Sequence, residues 1–266
     1  MTEHTYPDRR ETREPSEATP SRDAEADRIR TSTARCSRLD GGTADAHVLP
    51  LAGNGFEAWI DSADVVVERN IFHDIYDTAF TAQGGPQSTT GSWSNISLRN
   101  NLIYLCNQSI EFWSAGAGPG FVNCLVECNT CLYSGYGWSS QVRPDLNTRV
   151  HLLTYGWDLP ADITVRHNTF YDGKVAYRYS ATRTTPGLVC SANLICQRAG
   201  GLLRYGQPQT VEQWQAWTAA EQNDTDSTFW VLPQDAPIDV TAAWNQVVGE
   251  RSGCTPPAPP APTSPK

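Results

Sequence analysis

Five segments of this chain share one pattern, and that pattern constrains the fold more than any other feature. They are DVVVERNIFHDIYDTAFTAQG, NISLRNNLIYLCNQSIEFWSA, NCLVECNTCLYSGYGWSSQVR, DITVRHNTFYDGKVAYRYSAT and GLVCSANLICQRAGGLLRYGQ. Each has an alternating apolar strand, an Asn, two or three apolar residues, a short polar turn and a second alternating strand. The shared asparagines are Asn70, Asn101, Asn129, Asn168 and Asn193, spaced 31, 28, 39 and 25 residues apart. A coil of stacked strands needs about 20 residues or more, so the excess is loop inserted at a corner. Asn tolerates the αL bend between two strands, and its amide can bond the same Asn one coil away. Strands separated by a whole coil then pair in parallel, and each coil buries its apolar side against its neighbours. The expectation is an all-β solenoid of five to six coils. A leucine-rich frame is absent, and a propeller would need blades of about 40 residues. An immunoglobulin-like sandwich would not repeat the same step five times.

Residues 1–45 are rich in charge, Thr, Ser and Pro, and are expected to be disordered. The repeat domain spans 46–250, with a short helical or irregular segment from about 207, and 251–266 form a Pro-rich tail. No apolar run is long enough for a membrane helix. The charged N-terminus has no apolar core segment, so no signal peptide is visible. A formal net charge of -9 argues against nucleic acid as a partner, but leaves room for a local basic groove. Cys124, Cys128 and Cys131 invite a metal reading, yet no fourth ligand stands at a regular spacing. They read instead as small apolar residues of a stacked core, and disulfide pairing among the eight cysteines stays open.

The pattern x-V-x-x-N-x-F/I, as in VVVERNIFHDIYDTAF and TVRHNTFYDGKVAYRYS, resembles the right-handed parallel β-helix repeats of the pectate-lyase-like superfamily. The resemblance covers about residues 55–206, and VEQWQAWTAAEQNDTDSTF looks like the Trp-containing helix and D-x-x-S turn that follow the stack in bacterial members. It implies a polysaccharide or oligosaccharide partner, an extracellular location, a monomer, and a groove along the sheet that follows the Asn turn. It does not fix the reaction.

Counting ten residues on from the shared asparagines gives Phe80, Glu111, Ser139 and Arg178, which should face outward. Residues at plus nine, Ala79, Ile110, Trp138 and Tyr177, should face inward. Arg204 matches Arg178 after a one-residue offset. Asp77 lies just before the groove strand of the first repeat, beside His73 and Asp74. The third repeat continues into the longest insertion, which carries Arg143, Asp145, Arg149, His151, Tyr155 and Trp157. The catalytic candidates are Asp77, Glu111, Arg143, Asp145, His151 and Arg178. Trp113, Tyr155, Trp157, Arg204 and Tyr205 are the candidate sugar contacts, since aromatic faces pack on sugar C–H groups.

Asp77 and Glu111 form the best acid–base pair and favour hydrolysis. Arg143 and Arg178 suit a lyase, where Arg neutralises a uronate and acidifies the adjacent C–H. Hydrolysis is preferred. The rival reading is a non-catalytic carbohydrate-binding or structural β-helix, a truncated enzyme included. No cofactor is expected. Calcium, which some related lyases use, would need an Asp-rich loop that the chain does not offer.

Overall fold

A computed structural model describes residues 28–30, 33–35, 53–84, 92–114, 120–143, 149–155, 161–179, 187–198, 202–204, 210–248 and 254. For residues 28–30, 33–35, 155, 178, 179 and 202–204 it describes the backbone alone.

The chain visits three sheets in turn, again and again. The strands β1 (Arg28–Arg30), β2 (Thr33–Arg35) and β3 (Phe56–Ala58) make the first round. The next is β4 (Val66–Glu68), β5 (Ile71–His73) and β6 (Thr78–Gly84). Then come β7 (Ser92–Ser94), β8 (Ser97–Arg99), β9 (Leu102–Tyr104) and β10 (Gln108–Ser114). The following round is β11 (Gly120–Glu127), β12 (Thr130–Leu132), the short helix α1 (Ser139–Val142) and β13 (Val150–Tyr155). The last two sheet rounds are β14 (Ala161–Arg166), β15 (Thr169–Tyr171) and β16 (Val175–Tyr179), then β17 (Leu188–Ser191), β18 (Leu194–Arg198) and β19 (Leu202–Arg204). The chain ends in α2 (Val211–Glu221), β20 (Thr228–Leu232) and α3 (Val240–Val248).

The first sheet runs β1-β4-β8-β11-β14-β17, with β7 also on β11. The second runs β3-β6-β10-β13-β16-β19, and the third β2-β5-β9-β12-β15-β18-β20. Every strand pairing among the described residues is parallel, an arrangement compatible with a β-helix-like solenoid.

One apolar cluster draws residues from all three sheets. Phe72, Ile103, Cys131, Phe170, Ile195 and Phe229 stack in register along the third sheet. Val67, Leu98, Val126, Val165 and Cys190 do so along the first. Cys131 and Cys190 thus occupy places that Ile and Val fill in other rounds. On the outer side of the first sheet, Glu68, Arg99, Glu127 and Arg166 share one row. Unlike charges alternate along it, and the Glu68–Arg99 and Glu127–Arg166 pairs close at 2.8 and 2.7 Å. A shift of one residue would break that alternation, so the row favours a single register.

The five asparagines form a buried ladder. Asn70, Asn101, Asn129 and Asn168 each donate a backbone N–H and a side-chain N–H to Oδ1 of the next Asn in the series. The αL bend, however, falls on the residue before each Asn: Arg69, Asn100, Cys128, His167 and Ala192 all have φ between 50 and 59°. The asparagine supplies the hydrogen bonds, and its predecessor supplies the turn. A second αL corner follows the three-residue strand, at Asp74, Leu105, Tyr133 and Asp172.

The C-terminal end of the stack is closed by polar mimicry. Asn193 donates its backbone N–H to Ser227 Oγ and its amide to Asp224 Oδ1, which ends the ladder. Asn223 accepts from Cys190 N and donates to Leu188 O, taking up the outer edge of β17. Trp214 of α2 packs into the core against Tyr177 and Phe229. Helix α3 lays Val240, Ala243, Trp244 and Val247 over Tyr104, Leu132, Tyr133 and Tyr171. A disulfide joins Cys128, at an αL corner, to Cys254. With Cys128 so engaged, the three-cysteine metal reading has no physical basis.

Candidate functional site

The outward face of the second sheet carries the most concentrated polar chemistry at the start of β6 and β10. Parallel register places Thr78 beside Gln108, and Thr81 beside Glu111. Asp77 stands one residue before β6 and keeps 29% of its side chain exposed. Glu111, by contrast, is 4% exposed, in the middle of β10.

Gln108 links the two carboxylates. Its Nε2 donates to Asp77 Oδ1 at 3.0 Å and lies 3.5 Å from Glu111 Oε2. Those two oxygens are therefore no farther apart than 3.0 plus 3.5 Å. The Thr78 hydroxyl accepts from Gln108 and donates to Glu111 Oε2 at 3.1 Å. Arg143 forms an ion pair with Asp77 and lies 5.3 Å from the centre of the Tyr76 ring. Its position follows from α1, whose last turn closes with Arg143 N donating to Ser139 O. The sequence candidates Asp77, Glu111 and Arg143 thus meet in one network. Thr78 and Gln108 were missed, although the repeats signal them: both begin the groove strand, three residues before Thr81 and Glu111.

Arg178 shares the Glu111 row through Leu153, at the backbone positions expected. Trp113 stands on the next outward row, paired with Gln83 on one side and Tyr155 on the other. Phe80 departs from expectation. It pairs with Ile110 and is fully buried, and Thr81 takes the outward place. Arg204 pairs with Tyr177, not with Arg178, so it sits on a different row from Glu111. Ser139 begins α1 and is not in the sheet; the groove strand of that round is β13, supplied by the insertion. Trp138, expected in the core, is half-buried and donates to Asp74 O. Asp145, Trp157 and Tyr205 lie outside the described residues.

His151 lies on β13 but faces the interior, away from Glu111. It is fully buried, with Nδ1 2.9 Å from Ser134 Oγ and its ring tilted against Phe170. Its Nε2 has no hydrogen-bond partner. Burial pushes its pKa down to about 3, and the nearby Tyr171 backbone opposes this without cancelling it. A shut-in neutral imidazole cannot exchange protons with a substrate in the groove, so His151 is a core residue. Each groove strand turns two successive residues inward: Ala79–Phe80, Ser109–Ile110, His151–Leu152 and Ala176–Tyr177. That kink defeats a strict period of two.

A second polar cluster sits at the corner after β15. Arg198 grips buried Asp172 through Nε and Nη2, and the Lys174 ammonium lies 3.7 Å from the centre of the Tyr136 ring. Burial lowers the Lys174 pKa. The cluster fixes the turn beneath α3 and is separate from the carboxylate pair. Among the described residues no group of three or more His, Cys, Asp or Glu is arranged to hold a metal ion. No described helix is long and apolar enough to cross a membrane. No family model, curated protein or solved structure matches the chain.

Proposed function

We propose that this protein is a right-handed parallel β-helix that hydrolyses glycosidic bonds of a polysaccharide, working as a monomer and without a cofactor. The observation that carries the reading is the bridging of Asp77 and Glu111 by one amide on the outward face of a parallel sheet. Glycosidases place two carboxyl groups about 5–5.5 Å apart for retention, or about 6.5–9.5 Å apart for inversion. A ceiling of 3.0 plus 3.5 Å between the bridged oxygens favours the retaining arrangement. Asp77, facing the Arg143 guanidinium, suits the nucleophile, which must carry negative charge. Glu111, held by Thr78 at 3.1 Å and Gln108 at 3.5 Å, is assigned as the acid that protonates the leaving oxygen. Trp113 offers a ring two residues along the same strand face, where a sugar C–H face can pack.

Glu111→Gln preserves the Thr78 hydrogen bond and removes the acid. On a polysaccharide that the wild type hydrolyses, turnover is expected to fall by about 100-fold or more. Unchanged turnover would sink the assigned role, and release of unsaturated uronate products would decide for a lyase. One observation favours the rival reading of a non-catalytic carbohydrate-binding β-helix: Glu111 is already engaged by Thr78 and Gln108, as in a structural polar network. Binding without turnover across a panel of polysaccharides would establish it.

A further inference from the structure

Trp59 follows β3 at one edge of the second sheet and is 50% exposed, more than any other aromatic side chain among the described residues. An isolated exposed ring is ordinary, but this one stands in line with the carboxylate site. Ala58 pairs with Ala82, and Ile60 packs so closely at Gly84 that a Cβ there would lie 2.7 Å from Ile60 Cβ. The parallel register therefore continues past β3. It sets Trp59 beside Gln83, which pairs in turn with Trp113. The adjoining outward row is Glu57, Thr81 and Glu111. Ala58 is buried between Glu57 and Trp59, which are both exposed on the groove face. At about 4.8 Å per strand, Trp59 and Trp113 are about 10 Å apart along the stack, and Trp59 is about 12 Å from Glu111.

A carboxylate is held in place on the same strand face. Glu57 accepts from Gln83 Nε2 at 2.6 Å and from Asn54 Nδ2 at 2.9 Å, one amide on each oxygen. A carboxylate oxygen has two acceptor sites, so each can take a further donor. An open aromatic face with fixed acceptors two residues away suits a sugar ring. Its C–H face packs on the indole, and its hydroxyls donate to the carboxylate.

We infer that Trp59 and Glu57 form a distal subsite, which holds a sugar unit of the polysaccharide away from the cleaved bond. The glycan then lies along the stack and crosses successive rounds. This rests on the carbohydrate reading above and deepens it: the protein takes a chain of several units and favours long substrates over short ones.

The test is steady-state kinetics and affinity electrophoresis of the full chain on xylan, β-glucan, galactan, mannan and polygalacturonate, then on short and long oligomers of the polymer cleaved. Trp59→Ala is expected to raise KM for the polymer and its long oligomers about fivefold, with kcat falling far less. The penalty is expected to vanish for oligomers too short to reach β3. Trp59→Phe keeps a ring and is expected to restore most of the affinity, which separates lost stacking from a disturbed strand. Glu57→Gln is expected to raise KM on the same long substrates. An unchanged KM for Trp59→Ala on long oligomers overturns the inference and leaves hydrolysis at Asp77 and Glu111 intact. So does an equal rise on short and long oligomers, or a self-association of the wild type that Trp59→Ala abolishes. Should a polymer retard the wild type without being cleaved, hydrolysis fails and retardation decides the subsite: weaker for Trp59→Ala supports it, unchanged overturns it. Neither retardation nor cleavage on any polymer overturns both.

Discussion

Mild acid should destabilise this protein through His151. In the folded chain burial lowers its pKa to about 3, against about 6.5 for an unconstrained imidazole. The unfolded chain therefore binds the extra proton first. The sign follows from linkage: the stability contributed by neutral His151 is fully present above about pH 6.5 and is lost as pH falls from there toward 3. At pH 5 the loss is about 2 kcal/mol, since one pKa unit is worth about 1.36 kcal/mol. The geometry explains why the proton is refused. Nε2 has no acceptor, and even a methyl group at Gly173 would lie 2.8 Å from it. No room is left for a water to solvate a charged ring. Urea unfolding of the wild type and His151→Gln at pH 7.5 and pH 5 gives a double difference in which the other titrating groups cancel. The wild type should lose about 2 kcal/mol more than the variant over that interval. Equal losses would refute the reasoning, and would mean that His151 takes up its proton in the folded state.

Three further outcomes are expected. Asn129→Ala should cost about 3 kcal/mol by denaturant unfolding, because it strands Leu98 O and Asn101 N beside the ladder. Ala192→Gly should raise stability by about 0.5–1 kcal/mol, since Ala192 holds φ 50°, where a Cβ is strained and glycine is not. Replacing the Cys128–Cys254 pair by serines, which opens a loop of sequence separation 126, should lower stability by about 4–5 kcal/mol in a thermal or urea melt at neutral pH.

The asparagine ladder was legible because it is a hydrogen-bonding requirement, renewed in every round and indifferent to loop length. Glu111 and Arg178 were placed on one row for the same reason. Counting failed where the chain broke its own period. Between Asn129 and its groove strand, α1 and the insertion move the paired residues from around Ser139 to Val150–Tyr155. His151 was misplaced because the strand kinks two neighbours inward, and an alternating pattern cannot register that. The αL residue was assigned to Asn on propensity. The structure puts it one residue earlier, even on Ala192 and Cys128, because the ladder needs the Asn side chain aimed along the stack. Gln108 was overlooked since neither charge nor aromaticity drew notice to it, though it joins the two carboxylates.

The way Asn223 occupies the outer edge of β17 has a consequence for how this molecule lives among copies of itself. A stack of parallel strands is an open-ended template, and any exposed rim invites another chain to continue it. Here a carboxamide reproduces the spacing of a peptide group, with an acceptor for Cys190 N and a donor for Leu188 O, while Asp224 N and Asp226 Oδ1 meet Cys190 O and Ala192 N beside it. Growth is opposed at that rim by these contacts, together with α2 and β20, which the chain places at the same end. Exchange of Asn223 for an aliphatic residue would reopen the template, and the first sign would be filaments and not unfolding.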